Sequence, residues 1–167
     1  MTRAIHVTHR TKPFEMCAVA DVGDSPMKNV FDVAGAHTEI EQRVTELLSA
    51  GATPLSIGGD HSVSLPILKA IRRHLNTPVA LIHIASHCDT SQTIWGCEDH
   101  HAVPIRRAVE NDLISPEHVI QIGIRGAQND TEGWDYSNEH FSVVYMHELD
   151  DLGIEWVLDK ARAVVKD

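Results

Sequence analysis

The feature that most constrains this chain is an alternation of short, almost unbroken apolar runs with amphipathic stretches. The clearest runs are Val79-Ala80-Leu81-Ile82-His83-Ile84, Val119-Ile120-Gln121-Ile122-Gly123-Ile124 and Phe141-Ser142-Val143-Val144-Tyr145-Met146. A strand that is apolar on both sides must be covered on both faces, which is the condition of a parallel sheet held between helices. Ile40, Val44, Leu47 and Leu48 supply a helical stripe at i, i+4, i+7 and i+8, and Gly51 follows as a stop. Leu68, Ile71 and Leu75 carry a second helix, Pro104 to Val109 a short third, and Ile154, Val157, Leu158, Ala161 and Val165 the last. Pro54-Leu55-Ser56-Ile57, running into Gly58-Gly59, reads as a further buried strand that ends in a tight loop. The expected fold class is α/β: a three-layer α/β/α arrangement with a mainly parallel sheet. With no repeat, low-complexity tract or linker in 167 residues, positions 1–167 read as a single domain.

Composition then removes several function classes. Fourteen Lys and Arg face 24 Asp and Glu, for a formal charge of −10. That balance excludes gripping nucleic acid or an anionic membrane through bulk charge, so neither is expected as a partner. No apolar stretch approaches the roughly 18 residues a spanning helix needs, and the first residues lack the core of a secretory signal. Cys17, Cys88 and Cys97 are odd in number and form no Cys-x-x-Cys pair, which suits a reducing setting. A cytoplasmic location is expected, with mitochondria as the alternative. Histidine is over-used, at 12 residues.

In open α/β sheets, chemistry sits in the loops at the carboxyl ends of the strands. Here those loops are 58–62, 85–101 and 125–139. The first reads Gly58-Gly59-Asp60-His61-Ser62. His61 is either a metal ligand or acid/base group, or incidental to a helix cap made by Asp60 or Ser62. The second opens Ala85-Ser86-His87-Cys88-Asp89. If strand alternation continues, Ala85, His87 and Asp89 project to one side, and His87 with Asp89 makes an imidazole–carboxylate ligand pair. A solvated His87 and a turn-capping Asp89 are the plainer alternative. Glu98-Asp99-His100-His101 offers a histidine for proton transfer or substrate handling, or an exposed polar loop. His83, inside its strand, reads as a satisfied structural histidine. His6, His9, His37, His74, His118 and His140 have no partnering pattern.

Taken in order, Gly58-Gly59-Asp60-His61-Ser62, Ile82-His83 through His87-x-Asp89, and Ile122-Gly123-Ile124-Arg125-Gly126 resemble the ureohydrolase family of arginases, agmatinases and guanidinobutyrases. The agmatinase-type branch is the most similar. Matching continues through Ala50-Gly51-Ala52-Thr53-Pro54-Leu55 and Pro104-Ile105-Arg106-Arg107-Ala108. The resemblance implies an arginase-like fold and a pair of manganese ions that activate a shared hydroxide. It implies a small guanidino substrate, agmatine or guanidinobutyrate, cleaved to an amine and urea. It places His61, His87 and Asp89 on metal-ligand positions and His101 near a loop histidine used in substrate handling or proton transfer.

The chain also departs from the family pattern. The family motif is Asp-Ala-His-x-Asp, whereas Ala85 stands at the position of the metal-bridging aspartate. A later Ser-x-Asp-x-Asp strand, which would supply two more carboxylates, is not found, and Asp150-Asp151 falls at the start of a helix instead. The expectation is a central portion of the domain, shortened at both ends. Two adjacent divalent cations repel one another unless anionic ligands offset their charge. His61, His87 and Asp89 provide one negative charge, so partial metal occupancy and impaired activity are expected. The alternative is a non-catalytic relative that forms homo-oligomers or associates with full-length family members.

Overall fold

A computed structural model describes residues 4–29 and 31–166. A four-residue turn of helix, α1 (Pro13–Met16), precedes α2 (Val33–Ser49). Asp32 starts α2 by accepting from the Gly35 N–H at 2.9 Å, which satisfies one of the free amides of the first turn. After a single 3-10 turn at His61–Val63 comes α3 (Ser64–Leu75), then strand β1 (Val79–Ile84) and α4 (Pro104–Glu110). The chain continues as β2 (Ile114–Ile124), α5 (Glu132–His140), β3 (Ser142–Tyr145) and α6 (Met146–Val164). Gly153 interrupts α6 at φ +81°, a backbone region that costs glycine nothing.

The three strands form one parallel sheet in the order β1-β2-β3. Each crossover passes through a helix, as parallel pairing demands. One face of the sheet holds Val119 with Leu65 and Leu68 of α3, Ile105 and Ala108 of α4, and Phe141. The other holds Ile120, Ile122 and Val144 beneath Val157 and Ala161 of α6. The sequence therefore gains its three layers, helices on both sides of a sheet whose middle strand is buried along Val119–Ile124. Each fully buried aliphatic side chain contributes about 1.5–3 kcal/mol, so these two clusters dominate the stability of the fold. No helix among the described residues is long and apolar enough to cross a membrane.

Two sequence expectations need correction. Residues 54–57 form no strand, and Leu55 and Ile57 are 87% and 95% exposed. A strand exists only through pairing, and among the described residues nothing pairs with this run. The stretch expected to be one loop, 125–139, contains most of α5. That helix is polar almost throughout and has no apolar stripe to announce it. Its hold on the fold is specific: Thr90 donates to the Gly133 carbonyl at 2.7 Å and meets the Ser137 hydroxyl at 3.0 Å, all buried. Arg106 adds a bond to Glu132 at 2.8 Å and lies over the Tyr136 ring.

Candidate metal centre

His61 reaches the carboxyl end of the sheet because Asp60 caps the 3-10 turn, accepting from the Ser62 N–H at 2.9 Å. Capping and a functional role for His61 are thus compatible, since the cap sets the position from which the ring projects. Ser62, itself buried, meets His37 of α2 at 3.1 Å and ties this turn to the helix behind it. Hydrogen bonding from Ser62 holds the Asp60 carboxyl below the usual range.

Asp89 is fixed from both sides. The N–H of Ile105 donates to its carbonyl at 3.1 Å, and the next residue, Thr90, is bound to α5. Between these anchors Asp89 takes φ +55°, a left-handed conformation that Asp tolerates better than most residues. β1 has ended by then, at Ile84. The alternation that would align Ala85, His87 and Asp89 consequently stops short of Asp89.

The result is a regrouping. His61 Nδ1 lies 2.8 Å from Asp89 Oδ2, and His83 Nε2 lies 3.6 Å from the same oxygen. His61, His83 and Asp89 are the one group of histidine, cysteine or acidic side chains, among the described residues, whose donor atoms come within 4.8 Å of one another. A two-imidazole, one-carboxylate set suits a divalent transition metal. The bond to Asp89 raises the pKa of His61 above its ordinary value, against the opposing effect of partial burial. Burial pushes His83 down to about 4, which keeps it neutral at physiological pH.

His87 is elsewhere. Its Nδ1 meets the Ser86 hydroxyl at 3.1 Å, and its ring lies against Gly126, where an added Cβ would come within 2.3 Å of the imidazole. The Arg125 and Gly126 N–H groups both donate to the Ser86 carbonyl, at 2.9 and 2.7 Å, which draws the two loops together. Glycine is required at 126 for that approach. Next to it, a cavity of about 460 Å³ opens between Arg125, Trp134, Tyr145, His147 and Asp150. His101 is exposed on the 97–103 turn, its ring 3.9 Å from that of His100.

Two residues of this centre were not singled out as functional by sequence reasoning. His83 reads from the sequence as a satisfied structural histidine, yet its buried Nε2 has no hydrogen-bond partner. Gln121, fully buried in β2, bonds His83 Nδ1 through its amide nitrogen at 3.2 Å. The two are register partners across the β1–β2 pair. The available signal was a lone amide inside the apolar run Val119–Ile124, because such a group enters a core only with a partner.

Comparison with known proteins bears on the fold and the family. The model of the Arginase family matches residues 1–167. A guanidinopropionase of Pseudomonas aeruginosa is 36% identical over 167 residues, 99% of this chain and 52% of that protein. A guanidinobutyrase of the same organism is 34% identical over 166 residues, 99% of this chain and 51% of the relative. The solved proclavaminate amidinohydrolase of Streptomyces clavuligerus superposes with a TM-score of 0.87 at 29% identity, covering all of this chain and 55% of its own. The chain therefore spans about half the length of the relatives it matches. From its parallel α/β layers to the Gly-Gly-Asp-His-Ser turn that presents His61, it belongs to the arginase family.

Proposed function

We propose that this chain contributes to metal-assisted hydrolysis of a small guanidino compound, releasing urea and an amine or amino acid. The observation that carries the reading is the meeting of His61 and Asp89, brought from two separate strand-end loops to 2.8 Å. An imidazole and a carboxylate so placed are a natural seat for a divalent ion, with manganese the family expectation. When bound, such an ion supplies Lewis acidity that makes water nucleophilic near neutral pH. In this reading His87, exposed beside the cavity at Gly126, acts from the substrate side, and His101 handles substrate or a proton from its turn. The relatives named for guanidinopropionate and guanidinobutyrate favour an ω-guanidino acid as substrate, with agmatine as the alternative.

The residues present do not fit a two-ion centre. Ala85 offers a methyl group where a bridging carboxylate is needed, and the His87 ring packs on Gly126 rather than beside Asp89. Impaired turnover follows from that shortage of anionic ligands. Ala85 also favours a second reading, a non-catalytic chain that acts by associating with full-length relatives. Urea release separates the two. With manganese, weak release from guanidinobutyrate, guanidinopropionate or agmatine is expected, and Ala85→Asp increases it. No release from either the native chain or Ala85→Asp, with any of the three substrates, overturns the catalytic reading.

A further inference from the structure

The buried polar row beneath the centre carries an inference that does not depend on the substrate. Gln121 is 0% exposed, and its amide nitrogen donates to the Cys88 carbonyl at 2.7 Å. This contact fixes which end of the amide is nitrogen, because the reversed amide would set two oxygens face to face at that distance. The same nitrogen lies 3.2 Å from His83 Nδ1. An amide nitrogen has only hydrogens to offer, so Nδ1 must be the bare, accepting nitrogen of the ring. The ring proton is then on Nε2. That nitrogen is buried, lacks a hydrogen-bond partner, and points toward Asp89 Oδ2 at 3.6 Å.

A nitrogen ligates a cation only after its hydrogen has left it. Half-exposed His61, whose Nδ1 also donates to Asp89, can carry that hydrogen on Nε2 instead, whereas the Nδ1 of His83 faces an amide N–H and cannot take one up. Metal-binding histidines show the opposite arrangement, with the non-ligating nitrogen donating its N–H to a carboxylate or carbonyl. We propose that His83, although it lies inside the donor cluster, is a positioning residue. Gln121 locks its tautomer, and the Nε2–H turns its positive end toward the Asp89 carboxylate at 3.6 Å, an electrostatic bias on that group rather than a hydrogen bond. The ion-binding pair of this cluster is then His61 and Asp89 alone. Both imidazoles approach Oδ2 of Asp89, the oxygen at which His61 and the carboxylate face each other. The carboxylate is thus aimed before any ion arrives.

The tautomer can be read directly. In the metal-free, ¹⁵N-labelled chain, long-range ¹H–¹⁵N correlations should show His83 with an unprotonated Nδ1 and a protonated Nε2. A proton on Nδ1 overturns the proposal and makes His83 a ligand. Binding of manganese and zinc to the chain gives a second readout through His83→Gln and His83→Leu. Glutamine keeps an N–H donor and lacks the imidazole lone pair. Positioning predicts near-native affinity for His83→Gln and a loss of about 10- to 100-fold for His83→Leu. Equal losses in both variants overturn it. The NMR readout decides the matter even for a chain that takes up no ion, and neither measurement uses a guanidino substrate. A failure to release urea therefore leaves the proposal standing.

Discussion

β1 and β2 are similar as sequences and different as structures. Each carries a six-residue aliphatic run broken by one polar side chain, His83 in Val79–Ile84 of β1 and Gln121 in Val119–Ile124 of β2. They pair in register, so Ile82 lies beside Ile120 and Ile84 beside Ile122 on one face of the sheet. On that face α6 covers β2 and β3 with Val157 and Ala161, and Ile120 is fully buried. It does not extend over β1, where Ile82 and Ile84 are 49% and 78% exposed. On the opposite face of β1, Val79 and Leu81 pack against the α3–α4 layer, and His83 is buried. Burial of an apolar residue is thus a property of what lies across from it. The run that contains the residue shows only what it would prefer.

Mutation can break or sharpen that contrast. Ile120→Ala should cost about 3 kcal/mol in denaturant unfolding, since it empties a packed site on the closed side. A cost below about 1 kcal/mol would show that this side is no better packed than the open one. Arg106→Met should cost about 1 kcal/mol, because Arg106 bonds Glu110 at 3.1 Å and Glu132 at 2.8 Å and so links α4 to α5. An unchanged midpoint would mean that Thr90 alone anchors α5. Ile84→Ala should change stability by less than about 0.5 kcal/mol while reducing self-association in light scattering. A loss as large as that of Ile120→Ala would reveal a cover over β1 that forms in solution.

The mildest effect expected is on pH. Burial raises the Glu110 pKa, but its bonds to Arg107 and Arg106 outweigh burial and hold it below the ordinary glutamate value of about 4.5. A depressed folded-state pKa stabilises above the unfolded value and loses that contribution as pH falls through the folded one. Acid unfolding should therefore begin below about pH 4.5, and Glu110→Gln should flatten that limb of the stability curve. An identical acid limb in the variant would remove Glu110 from the account.

The same distinction explains what could be read without coordinates. β1, α3 and α4 were legible because periodicity and the proline at the start of α4 are local signals. The failed strand at 54–57 carries an equally good local signal, and its outcome depends on a partner that the signal does not contain. α5 was invisible for the reverse reason: its polar residues are held by Thr90 and Arg106 rather than by an apolar stripe. In the centre, His61 and Asp89 were identifiable as residue types at strand-end loops. Their grouping with His83 was hidden, because the strand ends at Ile84 and Asp89 leaves the pleat at φ +55°.

By itself the sequence determined the α/β alternation, the loops that gather at the strand ends, the family, and the absence of a carboxylate at Ala85, since each is a matter of composition or short-range order. Tertiary structure alone decided that Asp89 faces His61 and His83 while His87 rests on Gly126, and that Gln121 dictates which nitrogen of His83 holds the proton. Those outcomes depend on contacts of a few ångströms between residues dozens of positions apart, set by strand register and loop anchoring, and no local pattern specifies them.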